Sequence, residues 1–254
     1  MRQRFEHDAD EPAELDTRLI WAGLFFCLAV FAKFPQLDLQ VASHYYTPTQ
    51  GFLHRNDPVV LWLYNWTPWI GRALVLGLAL FWAFNGLIAA WLRKRGQDDN
   101  ATRCEGPWRR VAVLTVVAAL LGPGLLIEGF FKNVAGRPRP VQVVELGGTV
   151  PYRGPFEWGA PPENHKSFVS SHAAAGFALM SLGLSCGPVW RRRWLLIGIV
   201  SGGVIGAGRM MQGGHFLSDI IFAFYSVWLC CELVRLWDQR QHAQSLARRR
   251  RHTP

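Results

Sequence analysis

The chain is short of charge, of acid and of cysteine. Charged residues make up 18% of its 254 residues, and only 18 are Asp or Glu against 27 Lys or Arg. The formal net charge is +9 and the sequence pI is near 9.8. Basic runs are short, three residues at 93–95 and 191–193 and four at 248–251, which excludes a nucleic-acid tail protein. There are five Cys, and their one close spacing is the adjacent pair Cys230 and Cys231. An odd number without paired spacing excludes a disulfide scaffold and a zinc module. No basic stretch leads into a small-residue cleavage site, so the first apolar run is expected to be an uncleaved anchor. Hydrophobic residues, by contrast, reach 50% and there are 12 Trp, which excludes a disordered chain. The mean hydropathy of +0.09 is that of a soluble protein, but a whole-chain mean hides local runs.

Such runs are present. A bilayer core needs about 20 mostly apolar residues per helix. Six runs qualify, over about 19–34, 73–92, 111–131, 173–190, 194–208 and 216–236. The third contains Gly122-Pro123-Gly124, a predicted kink. The last contains Asp219 and Glu232. A soluble helical domain would have to bury all six, several of them apolar all round, whereas a surface helix keeps one polar face. The expected fold is therefore all-α: a polytopic membrane protein with six transmembrane helices. Eighteen of the basic residues flank these runs on one side, at the N-terminus, after run two, between runs four and five, and after run six. That side is expected to be cytoplasmic, with both termini on it. The division is a cytoplasmic N-terminal tail over 1–18, a six-helix membrane domain over 19–236 and a basic cytoplasmic tail over 237–254, which meets anionic phospholipid. The Cys residues fall in the runs or, for Cys104, in a cytoplasmic loop, so no structural disulfide is expected.

The other nine basic residues break the charge trend. Six lie between Lys132 and Arg209, and a charge at the membrane boundary is a functional signal by default. Three clusters hold most of them: KNVAGRPRP over 132–140, KSFVSSH over 166–172, and GRMMQGGHFLSD over 208–219. All three map to the outer face. Chemically the set is an oxyanion site. Lys132, Arg139 and Arg209 supply cations, and guanidinium forks suit phosphate oxygens. Ser170 and Ser171 precede a helix start, where hydroxyls and free N–H groups favour an anion. His172 and His215 divide the work of nucleophile and general acid. Asp219, four residues after His215, fixes the imidazole if helix six starts there. Singly, each cluster reads as a helix pair, a solvated basic loop or a helix cap; together and in this order they read as a site. Arg137, Arg153 and Lys166 read either as contacts for extra headgroup charge or as solvated loop residues, and Glu128 is placed to pair with Lys132.

These clusters resemble the three-part signature of the type 2 phosphatidic acid phosphatase superfamily, K-x6-R-P, P-S-G-H and S-R-x5-H-x3-D. Lys132, Arg139 and Pro140 match the first part. Ser170 and His172 match the second, with Val169 for the Pro and Ser171 for the Gly. Arg209, His215 and Asp219 match the third, with Gly208 for the Ser. Loss of the Pro is expected to free the helix entry at 169. The resemblance implies that His215 attacks phosphorus to form a phosphohistidine, supported by Asp219. His172 would protonate the leaving oxygen and then activate water. Lys132, Arg139, Ser170, Ser171 and Arg209 would bind the phosphoryl oxygens. No metal and no other cofactor is implied, because these cations neutralise the developing charge. The implied partner is a membrane lipid phosphate, not nucleic acid. The segment 37–41, LDLQV, followed by Tyr45 and Tyr46, and the run 166–170 are similar to the bacterial lipid A phosphatase branch, which implies an inner-membrane protein with its site facing the periplasm. Undecaprenyl diphosphate, phosphatidylglycerophosphate, a lipid phosphoryl acceptor in place of water, a non-catalytic binding role, and a soluble haloperoxidase sharing the site stay as alternatives. Segments 35–72 and 132–171 are expected to form the access groove. Leu61, Trp62, Tyr64, Trp66 and Trp69 are expected in an aromatic belt or, less so, an interfacial helix capped by Asp57 and Pro58.

Overall fold

A computed structural model of the chain describes residues 17–159 and 165–252. The tail expected over 1–18 lies outside them but for Thr17 and Arg18. Helix α1 (Thr17–Lys33) stops before Pro35, and the chain bends by 86° into the short α2 (Leu37–Ser43). A small antiparallel ribbon follows, β1 (Tyr46–Thr47) and β2 (Gly51–Phe52), with Tyr46 paired to Phe52.

The long α3 (Pro58–Lys94) starts as its sequence dictates. Asp57 Oδ1 accepts from the N–H groups of Val59 at 2.9 Å and Val60 at 3.2 Å, and Pro58 takes the first helical position, where its missing N–H costs nothing. The helix runs on for 37 residues, about 55 Å at 1.5 Å per residue. The aromatic stretch through Trp69 and the apolar run 73–92 are therefore one rod, and no separate interfacial helix forms. The next helix, α4 (Asp98–Val134), is likewise continuous over 37 residues. It loosens into π-helical turns over Cys104–Trp108 and Leu120–Phe131. The second holds Gly122-Pro123-Gly124, and a π turn re-routes the hydrogen bonds around a proline that has no N–H to give.

Helix α5 (Ser171–Phe177) tightens into a 3-10 stretch, Ala178–Gly183, before α6 (Pro188–Met211) and α7 (Leu217–His252). Among the described residues, α3, α4, α6 and α7 are long and apolar enough to cross a bilayer, and α1 with α2 makes a fifth if the bent pair is one span. The fourth apolar run differs from expectation. Its helical part ends at Gly183, after about 22 Å, against the ~30 Å of a hydrocarbon core. It is buried among its neighbours instead of facing lipid: Ala173, Ala174, Gly176, Phe177 and Met180 are all buried.

Glycine lets α5 and α6 approach. Gly198, Gly202 and Gly206 recur every four residues and so share one face of α6. A Cβ at Gly202 would lie 2.2 Å from the Phe177 ring, and one at Gly206 would lie 2.4 Å from Ile220. Packing with no side chain between the backbones is how helices associate where no hydrophobic effect drives them.

The basic ends of the helices are tied by ion pairs. Glu232, unexpected in an apolar run, pairs with Arg191 at 3.1 Å and Arg235 at 2.7 Å. Helix α7 continues past 236 to His252, so the tail expected over 237–254 begins as helix, and Arg110 holds Asp238 at 2.6 Å. All five cysteines are free. At the opposite end, Ala42, Phe52, Val143, Leu146 and Phe216 form a second small core. It fastens α2, the ribbon and the loop after α4 beneath the start of α7, and that is where the three clusters meet.

Candidate active site

The third cluster folds as a tight loop between α6 and α7. Gly213 has φ +68°, a left-handed conformation that favours glycine. Its carbonyl accepts from Val141 at 3.1 Å, which joins this loop to the first cluster. A side chain at Gly214 would collide with the Arg209 guanidinium, 2.3 Å from its Nη2. His215 precedes the helix, which begins at Leu217, so His215 and Asp219 do not meet as a helical i,i+4 pair. Asp219 turns back instead: its Oδ2 accepts from Phe216 N–H at 2.9 Å and lies 3.4 Å from His215 Nδ1. That faces the carboxylate toward the imidazole and leaves Nε2 as the ring's free nitrogen.

Asp219 is fully buried and joins all three clusters. Its Oδ2 accepts from Ser167 Oγ at 2.6 Å, its carbonyl from Ser170 N–H at 3.1 Å, and its Oδ1 from Arg137 Nη1 at 2.7 Å. His215 is also buried. Burial drives its imidazole down from the ordinary range to about 3; Lys132 and Arg209 push the same way and Asp219 opposes them. The ring is therefore held in its neutral form near neutral pH.

Lys132 lies at the end of α4, 8% exposed. Its Nζ donates to the carbonyls of Lys166 at 2.7 Å and Ser167 at 3.1 Å. The expected pairing with Glu128 gives way to these bonds, which aim the ammonium across the second cluster and leave its third proton for a ligand. Ser170 caps α5, its Oγ accepting from Ala173 N–H at 3.3 Å, and still has a hydroxyl proton to give. This cap and the bond to Asp219 hold the entry that loss of a proline at 169 was expected to free. Ser171 opens the helix and His172 follows.

Tyr64, on α3, joins His172 to Arg209. The His172 ring stacks on it at 5.0 Å and 19°, and the Arg209 guanidinium stands 4.4 Å over it. Arg209 also donates through Nη1 to Gln212, while its buried Nε has no partner. Arg139 is partly exposed, and its charge is felt at Lys132, Arg209 and His172. The structure thus brings together Lys132, Arg139, Ser170, Ser171, His172, Arg209, His215 and Asp219.

Arg137 is neither a headgroup contact nor a solvated loop residue. It is 1% exposed and lies beneath the site on Asp219, Asp38, Ser218 and Tyr152. Burial opposes its charge, and the carboxylates of Asp219 and Asp38 more than restore it, so its pKa is raised. Arg153 is a half-buried loop residue, its Nη1 donating to Gly159 at 3.1 Å. Lys166 contributes its carbonyl to Lys132. Sequence reasoning missed Asp38, Tyr64, Ser167 and the true place of Arg137. The segment 37–41 was the one available signal for Asp38.

A groove of about 730 Å³ lies between α3, α4 and α5 and is lined by Ser171 and His172. Leu74, Val116, Ala119 and Leu179 give it an apolar wall, and Arg72 and Glu128 also line it. It uses the 68–72 part of the expected access segment. None of the described residues over 132–170 lines it; of these, Val143 and Leu146 pack with Ala42 of α2 and Phe216 before α7. Of the departures from the family signature, Gly208 is the simplest to assess. A Cβ there would meet Leu63 and Val60 at an ordinary 3.6 Å. Gly208→Ser is expected to fold normally and to change phosphate release by less than about tenfold, since an added hydroxyl is worth at most about one hydrogen bond; steady-state rates of the two proteins check this.

The PAP2 superfamily profile matches residues 110–243, the stretch that carries most of this site. The chain is similar to a lipid A 4'-phosphatase of Francisella tularensis subsp. novicida, with 29% identity over 83% of this chain and 91% of the relative. It is also similar to lipid A 4'-phosphatases of Rhizobium etli, 26% identical over 86% of each chain, and of Rhizobium leguminosarum, 25% identical over 86% of this chain and 94% of the relative. No solved structure matches it. With the profile, the relatives and the converging clusters in agreement, the chain belongs to the PAP2 superfamily.

Proposed function

We propose that the chain is an integral membrane lipid phosphatase, acting on a phosphomonoester or diphosphate headgroup, with a lipid A type favoured. The observation that carries this reading is the buried His215–Asp219 pair, 3.4 Å apart, set among Lys132, Arg139 and Arg209. The groove lined by His172 and Ser171 supports a lipid, since its wall suits an acyl chain while the headgroup meets the cations. The relatives, each named for lipid A 4'-phosphate, favour that headgroup.

In the proposed reaction His215 Nε2 attacks phosphorus. The N–P bond forms as the bond to the leaving oxygen breaks. His172, protonated beside the dianionic substrate, gives its proton to that oxygen. Lys132, Arg139, Ser170, Arg209 and the backbone N–H of Ser171 take the phosphoryl oxygens, and Asp219 stabilises the imidazolium. His172 then takes a proton from water, which attacks phosphorus and releases phosphate. The cations supply the charge neutralisation that a divalent metal supplies elsewhere. Phosphate release is therefore expected to persist in chelator, and vanadate, which adopts five-coordinate geometry at phosphoryl-transfer sites, is expected to inhibit. Activity lost in chelator and restored by magnesium would count against this.

Six passes are supported by alternation. The helices lead by turns toward the site (α1, α4, α6) and toward the basic ends (α3, α5, α7), with the short α5 completing its pass through residues 184–187. The basic residues at the far end support cytoplasmic termini and a site on the opposite face of the membrane; the bacterial relatives support an inner membrane with the site toward the periplasm, and the domain is taken as 19–236. The test of substrate is a panel of purified lipid phosphates assayed side by side for released phosphate. A lipid A 4'-phosphate is expected to lead; equal rates with short soluble phosphate esters would remove the role given to the groove.

A further inference from the structure

Asp38 has no part in the chemistry above, yet it is fully buried. Both its oxygens are used. Oδ1 accepts from Ser218 N–H at 2.9 Å; Oδ2 accepts from Arg137 Nη2 at 2.7 Å and from the Ser218 hydroxyl. Arg137 spends all the donors a guanidinium has. Nε donates to Arg153 O at 2.9 Å. Nη1 donates to Ser218 Oγ at 2.8 Å and Asp219 Oδ1 at 2.7 Å, and Nη2 to Asp38 and to Tyr152 Oη at 3.1 Å. Tyr152 in turn donates to Pro35 O at 2.6 Å. No donor of Arg137 is left for a phosphate, although it stands two residues before Arg139 in the first cluster.

We infer that Asp38 and Arg137 are positioning residues for the nucleophile His215, acting through Ser218 and Asp219; the inference rests on the phosphatase reading above. One guanidinium is shared by two buried carboxylates. Burial and Asp219 work against the charge on Asp38, while Arg137 and Ser218 favour it; with both carboxylates ionised the trio carries one net negative charge, and Asp219 is its member facing His215. That surplus stabilises the imidazolium that forms as the N–P bond is made. Without the charge on Asp38, Arg137 relaxes onto Asp219 alone and withdraws the carboxylate from the imidazole. The loss appears where the new charge appears, in kcat and not in KM. The α1–α2 turn, which contributes nothing to the phosphate pocket, would thus set how well the pocket's nucleophile works.

The test compares purified wild type with Asp38→Asn, which keeps the shape and removes the charge, and Ser218→Ala, which removes the bridge. Each is assayed for kcat and KM on a lipid phosphate, and for inhibition by vanadate, which can bond to His215, and by sulfate, which cannot. Asp38→Asn is expected to lower kcat by about 100-fold with KM within about threefold, the size of a lost charge-stabilising contact. Ser218→Ala is expected to lower kcat by about tenfold. Vanadate inhibition should weaken in proportion while sulfate inhibition stays unchanged. Equal weakening by both anions, or unchanged kcat in proteins that melt as wild type, would overturn the inference in favour of a purely structural role. If Asp38→Asn does not fold, Ser218→Ala carries the same comparison. A wild type that binds vanadate yet releases no phosphate would sink the phosphatase reading instead, and the vanadate-against-sulfate comparison would still decide the positioning claim.

Discussion

His215→Ala is expected to lose phosphate release by about 10⁴-fold or more, the scale seen when a nucleophile is removed, while the protein keeps its fold. The site explains why these two outcomes go together. The imidazole is buried, but the groups around it do not depend on it. Asp219 retains Arg137 at 2.7 Å, Ser167 at 2.6 Å and Phe216 N–H at 2.9 Å. Arg209 retains Gln212 and the face of Tyr64. The imidazole is thus held by a frame that survives its removal. Phosphate release measured beside thermal unfolding separates the two effects. A variant that hydrolyses lipid phosphates at the wild-type rate would remove His215 as the nucleophile.

Arg137→Met is expected to act in the opposite way, on folding first. Asp38 and Asp219 are each 0% exposed and share this one guanidinium. Methionine fills much of the volume and leaves two buried carboxylates without their cation. Breaking a buried pair by removing one partner costs about 3–5 kcal/mol, because the remaining charge is stranded. Tyr152, Ser218 and the carbonyl of Arg153 lose a donor as well. The variant should unfold at a clearly lower temperature in detergent than wild type, and at a lower temperature than His215→Ala. Equal melting of Arg137→Met and wild type would mean that the trio does not hold the outer cap together.

The convergence of the candidate site was legible in the sequence because an oxyanion site needs particular residue types at set spacings. Lys132, Arg139, Ser170, His172, Arg209, His215 and Asp219 stand in such spacings, and the fold brings them together. Asp38 was not legible in the same way. Its partners Arg137 and Ser218 are 99 and 180 residues away, and one acid in a seven-residue apolar helix has no periodicity to betray it. Arg137 and Arg139 stand two residues apart in one basic cluster, and burial separates them: Arg137 is fully buried and Arg139 half-buried. Apolar runs revealed the long helices but not their ends. Nothing in the composition of α3 marks where lipid stops, so a belt and a span were read where there is a single rod. In the fourth run Gly176 and Gly183 are compatible with a span and also serve close packing against α6, which composition alone does not show.

The most direct test of the central claim is to trap the enzyme during turnover. Wild type and His215→Ala are mixed with a lipid phosphate labelled at phosphorus, quenched in alkali, and assayed for protein-bound label. A phosphoramidate bond to histidine survives alkali and is cleaved by acid. The account predicts acid-labile, alkali-stable label on wild type and none on His215→Ala. Label that persists on His215→Ala, or its absence from a wild type that is releasing phosphate, would contradict it.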